Sequence, residues 1–228
     1  MAKNDFFFNE EVPQNHERKA AVRLILDTSG SMAGEPLKEL LNGISSFKEQ
    51  VQNDPTANSR LELGISTFNS RVEDIQDFVS MDQMEIPVLE ATGTTKMVDG
   101  VREGIKSIND RKAWYKNNGL SHYRPFAILI TDGWPDNDQD IEALSQEIRE
   151  GVDNKHFRFW AFGVEGADMD VLKKISHPEF PPQKLKGLEF VKFFKWLSNS
   201  MSVISNSRPD EKVDLTPAKE ENPFLLTV

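Results

Sequence analysis

Residues 21–26 read Ala-Val-Arg-Leu-Ile-Leu and empty directly into Asp27-Thr28-Ser29-Gly30-Ser31-Met32. A short apolar run bounded by turn formers predicts a central strand of a parallel sheet, buried on both faces. Such sheets place their ligands beyond the carboxyl ends of the strands. Gly30 allows the tight curl that would let Asp27, Ser29 and Ser31 converge. An acid and two hydroxyls offer oxygen donors only. That chemistry suits a hard divalent cation such as Mg2+, which takes near-octahedral oxygen at about 2.0–2.1 Å and keeps several waters. Taken alone, the D-x-S-x-S string also fits a serine-rich turn capping the next helix.

Two further segments have matching chemistry. Glu90-Ala91-Thr92-Gly93-Thr94-Thr95 leads into a helical pattern, and Phe126-Ala127-Ile128-Leu129-Ile130-Thr131 is a second apolar strand ending in Asp132-Gly133. With these in place the chain resembles the von Willebrand factor type A family. In that family D-x-S-x-S, a distant Thr and a distant Asp form the metal-ion-dependent adhesion site. The resemblance implies that Asp27, Ser29, Ser31, Thr94 and Asp132 hold the metal, with Thr92 and Thr95 close enough to compete for the threonine role. It implies hydroxyls bound directly to the ion and acids acting through water.

Within the family the chain is similar to the tellurium-resistance-associated TerY-type proteins. Residues 27–37 (D-T-S-G-S-M-x-G-E-P-L), Gly93-Thr94-Thr95, Arg124-Pro125-Phe126 and Phe193-Phe194-Lys195-Trp196 carry that similarity, which spans about residues 20–207. It implies a stress-response or phosphorylation-linked setting, with a kinase or phosphatase of the same system as partner. Trp134 stands where the family commonly has an acid after T-D-G.

Two aspartates nearly neutralise a divalent ion, and neutral hydroxyls leave it electrophilic enough to want one more anionic oxygen. A partner's Asp or Glu can supply it. The expected cofactor is Mg2+, with Mn2+ or Ca2+ as alternatives. Trp134 follows the metal-site acid and a glycine and is expected at the partner-binding rim, with Met32, Glu35, Asn69 and Asp136 as further rim candidates. A large aromatic such as Trp134 is a frequent binding anchor there.

Other chemistries fit less well. A haloacid-dehalogenase-type phosphohydrolase needs a second acid two residues after its nucleophilic Asp, and this chain has Ser29 at that place. An aspartic protease needs paired D-T-G turns, whereas Asp27-Thr28-Ser29-Gly30 interrupts the only one. His16, His122, His156 and His177 are scattered, with no readable Ser, His and acid arrangement. A metal without nucleophile or base points to binding rather than catalysis; the alternatives are a metal-dependent phosphohydrolase of haloacid-dehalogenase type with an eroded motif and a structural scaffold with a vestigial site.

The chain has no Cys, which removes disulfides, thiolate metal sites and thiol catalysis together. A net charge of -10 opposes nucleic-acid binding. The best basic patch, Arg111, Lys112, Lys116, His122 and Arg124, reads as a solvated helix end. No segment approaches the roughly 18–20 apolar residues that cross a bilayer, so no membrane partner is expected. The first residues lack the apolar core and flanking charge of a secretory signal, and a cytoplasmic setting is expected.

Apolar spacing predicts helices from Pro36 to Val51, from Thr95 towards Gly119, and over residues 141–152, 168–175 and 189–205. Strands are expected over residues 60–68, 71–78, 126–131, 157–164 and 183–186, the first two joined by a hairpin at Asn69-Ser70. This alternation implies an α/β fold: an open, mostly parallel doubly wound sheet with one antiparallel edge strand and helices on both faces. One domain is expected over residues 20–205, between an N-terminal arm (1–19, containing Phe6-Phe7-Phe8) and a C-terminal tail (206–228).

Overall fold

Every residue of β1 (Ala20–Asp27) is buried, as befits a strand covered by helices on both sides. The computed structural model describes residues 13, 15–132, 134–164, 166–185, 190–206 and 225–226. Its other strands are β2 (Leu61–Phe68), β3 (Val72–Ser80), β4 (Phe126–Thr131), β5 (Arg158–Gly163), β6 (Gln183–Leu185) and β7 (Leu225–Leu226). They form one sheet of order β3-β2-β1-β4-β5-β6-β7. The strands from β2 to β6 in that order are parallel, while β3 and β7 pair antiparallel at the two edges. The expected mostly parallel doubly wound sheet is therefore present, with two antiparallel edges instead of one. The second comes from the stretch read as a tail, whose two-residue strand pairs with the exposed side of β6.

Alternate β1 residues pack on opposite layers. Val22, Leu24 and Leu26 join a core with α1 (Glu35–Gln52), α2 (Pro55–Arg60) and α6 (Phe190–Asn206). Ala21 and Ile25 join a second core with α3 (Met97–Asn117), α4 (Ile141–Asp153) and α5 (Met169–Ile175). The α1 stripe Leu40, Ile44, Phe47 and Val51 is wholly buried, and Pro36 occupies the first turn, where no N–H is needed. Helix α2 was not anticipated, being too short to show a period. Its signal is Asp54-Pro55: the Asp54 carboxylate accepts from Thr56 N and Ala57 N at 3.0 and 3.1 Å.

Phe193 and Trp196 fall off the apolar stripe of the closing helix, which leaves a sheet cover and a second contact surface as alternatives. Phe193 is fully buried, 4.4 Å from the Phe162 ring, and Trp196 lies 5.1 Å from Trp160. They cover the sheet. Phe190, Phe194 and Leu197, which recur at helical spacing along α6, are buried. The side chains of Met201 and Ile204, the Phe6–Phe8 run and Asn222-Pro223-Phe224 lie outside the described residues.

The basic patch read as a solvated helix end is put to structural use instead. Arg111 is buried and pairs with Glu62 at 2.7 Å, beside Lys19 at 3.3 Å and the Tyr115 hydroxyl at 2.6 Å. Arg124 donates to the carbonyls of Phe157 and Val152, and Lys112 to that of His156. This cluster sits at the amino ends of the strands, at the opposite pole from Asp27. Among the described residues no helix is long and apolar enough to cross a membrane.

Candidate metal centre

The chain leaves β1 to reach β2 on one side, then crosses by α3 to β4 on the other. The carboxyl end of β1 is thus the point where strand order reverses and the flanking loops diverge, the usual ligand crevice of open α/β sheets. Asp27 stands there, fully buried. One of its oxygens accepts from Ser29 N at 2.8 Å and the other from the Thr131 hydroxyl at 2.5 Å. A single 3-10 turn, Gly30–Met32, then folds the chain back. It sets Ser29 Oγ 3.1 Å from Ser31 Oγ, and Ser31 donates to Asp132 at 2.9 Å. Four of the five anticipated residues therefore meet in one hydrogen-bonded chain.

The electrostatics of that chain are unbalanced. Burial pushes the Asp27 carboxyl above its ordinary value, against the pull of its hydrogen bonds, and the neighbouring Asp132 pushes it further. Burial also raises Asp132, opposed by the Ser31 bond. Among the described residues no Lys, Arg or His pairs with either acid. Two acids withdrawn from water without a counter-charge are costly, because Born and Coulomb terms both oppose ionisation. A divalent cation cancels both terms. Among the described residues no group of three or more His, Cys, Asp or Glu gathers, and the oxygens that meet here are two carboxylates and the hydroxyls of Ser29 and Ser31.

The threonine loop docks on this chain through backbone. Gly30 N donates to Gly93 O at 3.2 Å, and Thr92 N to Thr28 O at 2.9 Å. Thr94 is exposed, its N donating to Ser70 Oγ at 2.9 Å and its hydroxyl 3.3 Å from the same oxygen. Thr95 is buried and braced: its N donates to Asp136 at 3.2 Å, and its carbonyl accepts from Gln139 at 2.7 Å. Thr92 instead lines a neighbouring cavity. Thr92 and Thr94 are both exposed, one on each side of Gly93, while Thr95 is buried; the Thr94 hydroxyl bonds to Ser70 rather than to the Asp27–Asp132 chain. Gly93 has φ +76°, and a Cβ there would run into Ser70 Oγ.

The anticipated rim divides. Met32 is fully buried in the core beneath α1, which removes it from the rim. The 3-10 turn points it inward, and burying a methionine is worth roughly 1.5–3 kcal/mol over exposing it. Glu35 is exposed at the start of α1, 3.6 Å from Lys38. Asn69 is half-buried and closes the hairpin by accepting from Arg71 N at 3.1 Å. Asp136 is half-buried and is used to hold Thr95. Trp134 is 67% exposed, its indole N–H donating to Gly166 O at 3.2 Å. Gly133 lies outside the described residues.

Ser70, Thr131 and Gln139 were not anticipated. Ser70 had a signal, the Asn-Ser turn of a hairpin, but its contact with Thr94 spans 24 positions and leaves no local trace. Thr131 could have been found from register: Leu26 pairs with Ile130, which puts Thr131 opposite Asp27.

Comparison with known proteins agrees with the fold. A model of the von Willebrand factor type A domain matches residues 22–184. The human inter-alpha-trypsin inhibitor heavy chain H3 is 27% identical over 146 residues, covering 63% of this chain but only 15% of that protein. Among solved structures, the pilus adhesin SpaC of Lactobacillus rhamnosus GG superposes with a TM-score of 0.66 at 14% identity, over 84% of this chain and 31% of that one. Proximal thread matrix protein 1 of the mussel byssus, solved with a zinc-occupied MIDAS motif, gives 0.55 at 18% identity, over 84% and 47%. The chain thus spans less than half the length of these relatives, and at such identities the structural likeness speaks for fold alone. With the family model covering the sheet from β1 to β6, the chain belongs to the von Willebrand factor type A domain family.

Proposed function

We propose that this domain is a divalent-cation-dependent protein-binding module, in which Asp27, Ser29, Ser31, Thr94 and Asp132 hold Mg2+ and the ion recognises an Asp or Glu of a partner protein. The observation that carries this reading is the uncompensated pair Asp27 and Asp132, linked through Ser29 and Ser31 at the reversal point of the sheet. When bound, the ion supplies a hard electrophile with room for one more anionic oxygen. Asp27 and Asp132 provide its charge balance, and Ser29, Ser31 and Thr94 its neutral donors. Thr131 and Ser70 orient Asp27 and Thr94. Glu35, Asn69 and Trp134 surround the site as the partner-binding rim.

Ser29 stands where a phosphohydrolase would carry its general acid, which supports an adaptor over an enzyme. Similarity of residues 27–37 to TerY-type proteins supports an intracellular, cytoplasmic setting in a tellurite-stress or phosphorylation-linked system, with a kinase or phosphatase as partner. The reading is tested by affinity capture with the wild type in Mg2+, the wild type in EDTA, and Ser29→Ala in Mg2+. A partner retained only by the first supports it. Equal capture by all three refutes it.

A further inference from the structure

Beside the metal loop lies a cavity of about 200 Å3 whose walls include Thr28, Asn69, Arg71, Glu73, Glu90 and Thr92. It adjoins the metal centre along three segments: Thr28 lies between Asp27 and Ser29, Asn69 precedes Ser70, and Thr92 bonds to Thr28. Its charges do not cancel. Arg71 pairs with Glu73 at 3.0 Å, while the exposed Glu90 carboxylate has no hydrogen-bond or ion-pair partner among the described residues. The cavity therefore presents one negative charge in surplus, on a chain whose net charge is -10.

We propose that this cavity receives a Lys or Arg side chain of the partner, placed beside the Asp or Glu held at the metal, so that the domain reads a paired acid and base rather than an acid alone. The proposal rests on the function inferred above and names the partner's chemistry more closely. The volume suits one long side chain, and the hydroxyl and amide groups of Thr28, Asn69 and Thr92 offer acceptors for its donors. A charged nitrogen on Glu90 makes a charge-assisted hydrogen bond, roughly twice as strong as a neutral one. An added acid would find Arg71 already engaged by Glu73. The basic neighbour also offsets the repulsion that a chain of -10 exerts on an acid-bearing surface.

The test uses random peptides displayed on phage, selected on the full chain in Mg2+ and eluted with EDTA. Peptides rich in Asp or Glu with a Lys or Arg within a few positions are expected from the wild type. Glu90→Gln, which leaves the metal residues untouched, should lose the basic enrichment and keep the acidic one. A selected peptide should bind Glu90→Gln about tenfold more weakly or worse, as loss of one charge-assisted bond implies, with Mg2+ affinity unchanged. Acid enrichment without a basic neighbour, or basic enrichment that persists in both Glu90→Gln and Glu90→Lys, overturns the proposal while leaving the metal reading intact. Failure to recover any EDTA-eluted acidic peptide refutes both.

Discussion

The Ser31 hydroxyl donates a 2.9 Å hydrogen bond to Asp132 across 101 positions of sequence. That bond ties the loop after β1 to the loop after β4, and it spends only the proton of Ser31. One oxygen lone pair then accepts from Ser29 Oγ, 3.1 Å away, and the other stays available to a cation. Ser31→Ala should therefore weaken Mg2+ binding by about tenfold to a hundredfold or more, since it removes both a proposed donor to the ion and the bond that orients Asp132. Because Ser31 is exposed, stability without metal should change by less than about 0.5 kcal/mol. Titration calorimetry and chemical unfolding of the same variant check the two halves of this expectation.

Protons should compete with the metal at higher pH than for an ordinary aspartate. Burial raises both Asp27 and Asp132 above the usual 3.8. For an acid raised in the folded state, its contribution to stability is complete below the unfolded value and is lost as pH rises through the folded one. The cation requires the ionised forms, so its stabilising effect runs the opposite way. The melting-temperature difference between Mg2+ and EDTA should be full near pH 8 and shrink on acidification while exposed aspartates are still ionised. A difference that persists unchanged down to the ordinary aspartate range would show that neither acid participates.

The three neighbouring threonines should separate cleanly by mutation. Thr94→Ala should reduce metal affinity with little change in stability, and Ser70→Ala should act in the same direction more weakly, since Ser70 touches Thr94. Thr95→Ala should cost stability, by about 1 kcal/mol, because Thr95 is buried. Metal affinity carried by Thr92 or Thr95 instead would relocate the site. Thermal melts combined with Mg2+ titration of these three variants and of Thr92→Ala distinguish the outcomes.

No turnover of phosphomonoesters should depend on Asp27. A phosphohydrolase reading needs a proton donor for the leaving group, and Ser29 cannot serve as one at neutral pH. Incubating the purified chain with a generic aryl phosphate and Mg2+ checks this. Hydrolysis that disappears in Asp27→Asn would replace the adaptor with an enzyme.

The legible parts of this protein are those written in local pattern. The continuous burial of β1 and β4 follows from apolar runs too short for helices, and the α1 and α4 stripes from 3.6-residue spacing. Asp27 and Asp132 were legible as candidates because strand ends in parallel sheets collect ligands. What stayed hidden depends on contacts between distant segments. Met32 follows the site motif directly, yet the direction of one 3-10 turn sends it into the core. Arg23 looks misplaced inside an apolar strand. It is fully buried because Gly64 leaves room for its guanidinium and β3 supplies Asp74 and the Gln76 carbonyl, 3.0 Å away, as partners. Burial lowers its pKa to about 10, so it remains charged at neutral pH. Neither the space nor the partner is visible within β1 itself.

The central claim is that Asp27 helps hold a divalent cation in the folded domain. Thermal unfolding of the wild type and of Asp27→Asn, each in 1 mM Mg2+ and in EDTA, tests it most directly. Asn keeps an acceptor for Ser29 N and removes the buried charge. With a dissociation constant of about 0.1 mM, 1 mM Mg2+ stabilises the native state by about 1.4 kcal/mol, or roughly 3–6 °C for a domain of this size. The wild type should show that increase and Asp27→Asn none. Equal melting temperatures for the wild type in Mg2+ and EDTA, or an undiminished response in Asp27→Asn, would contradict it.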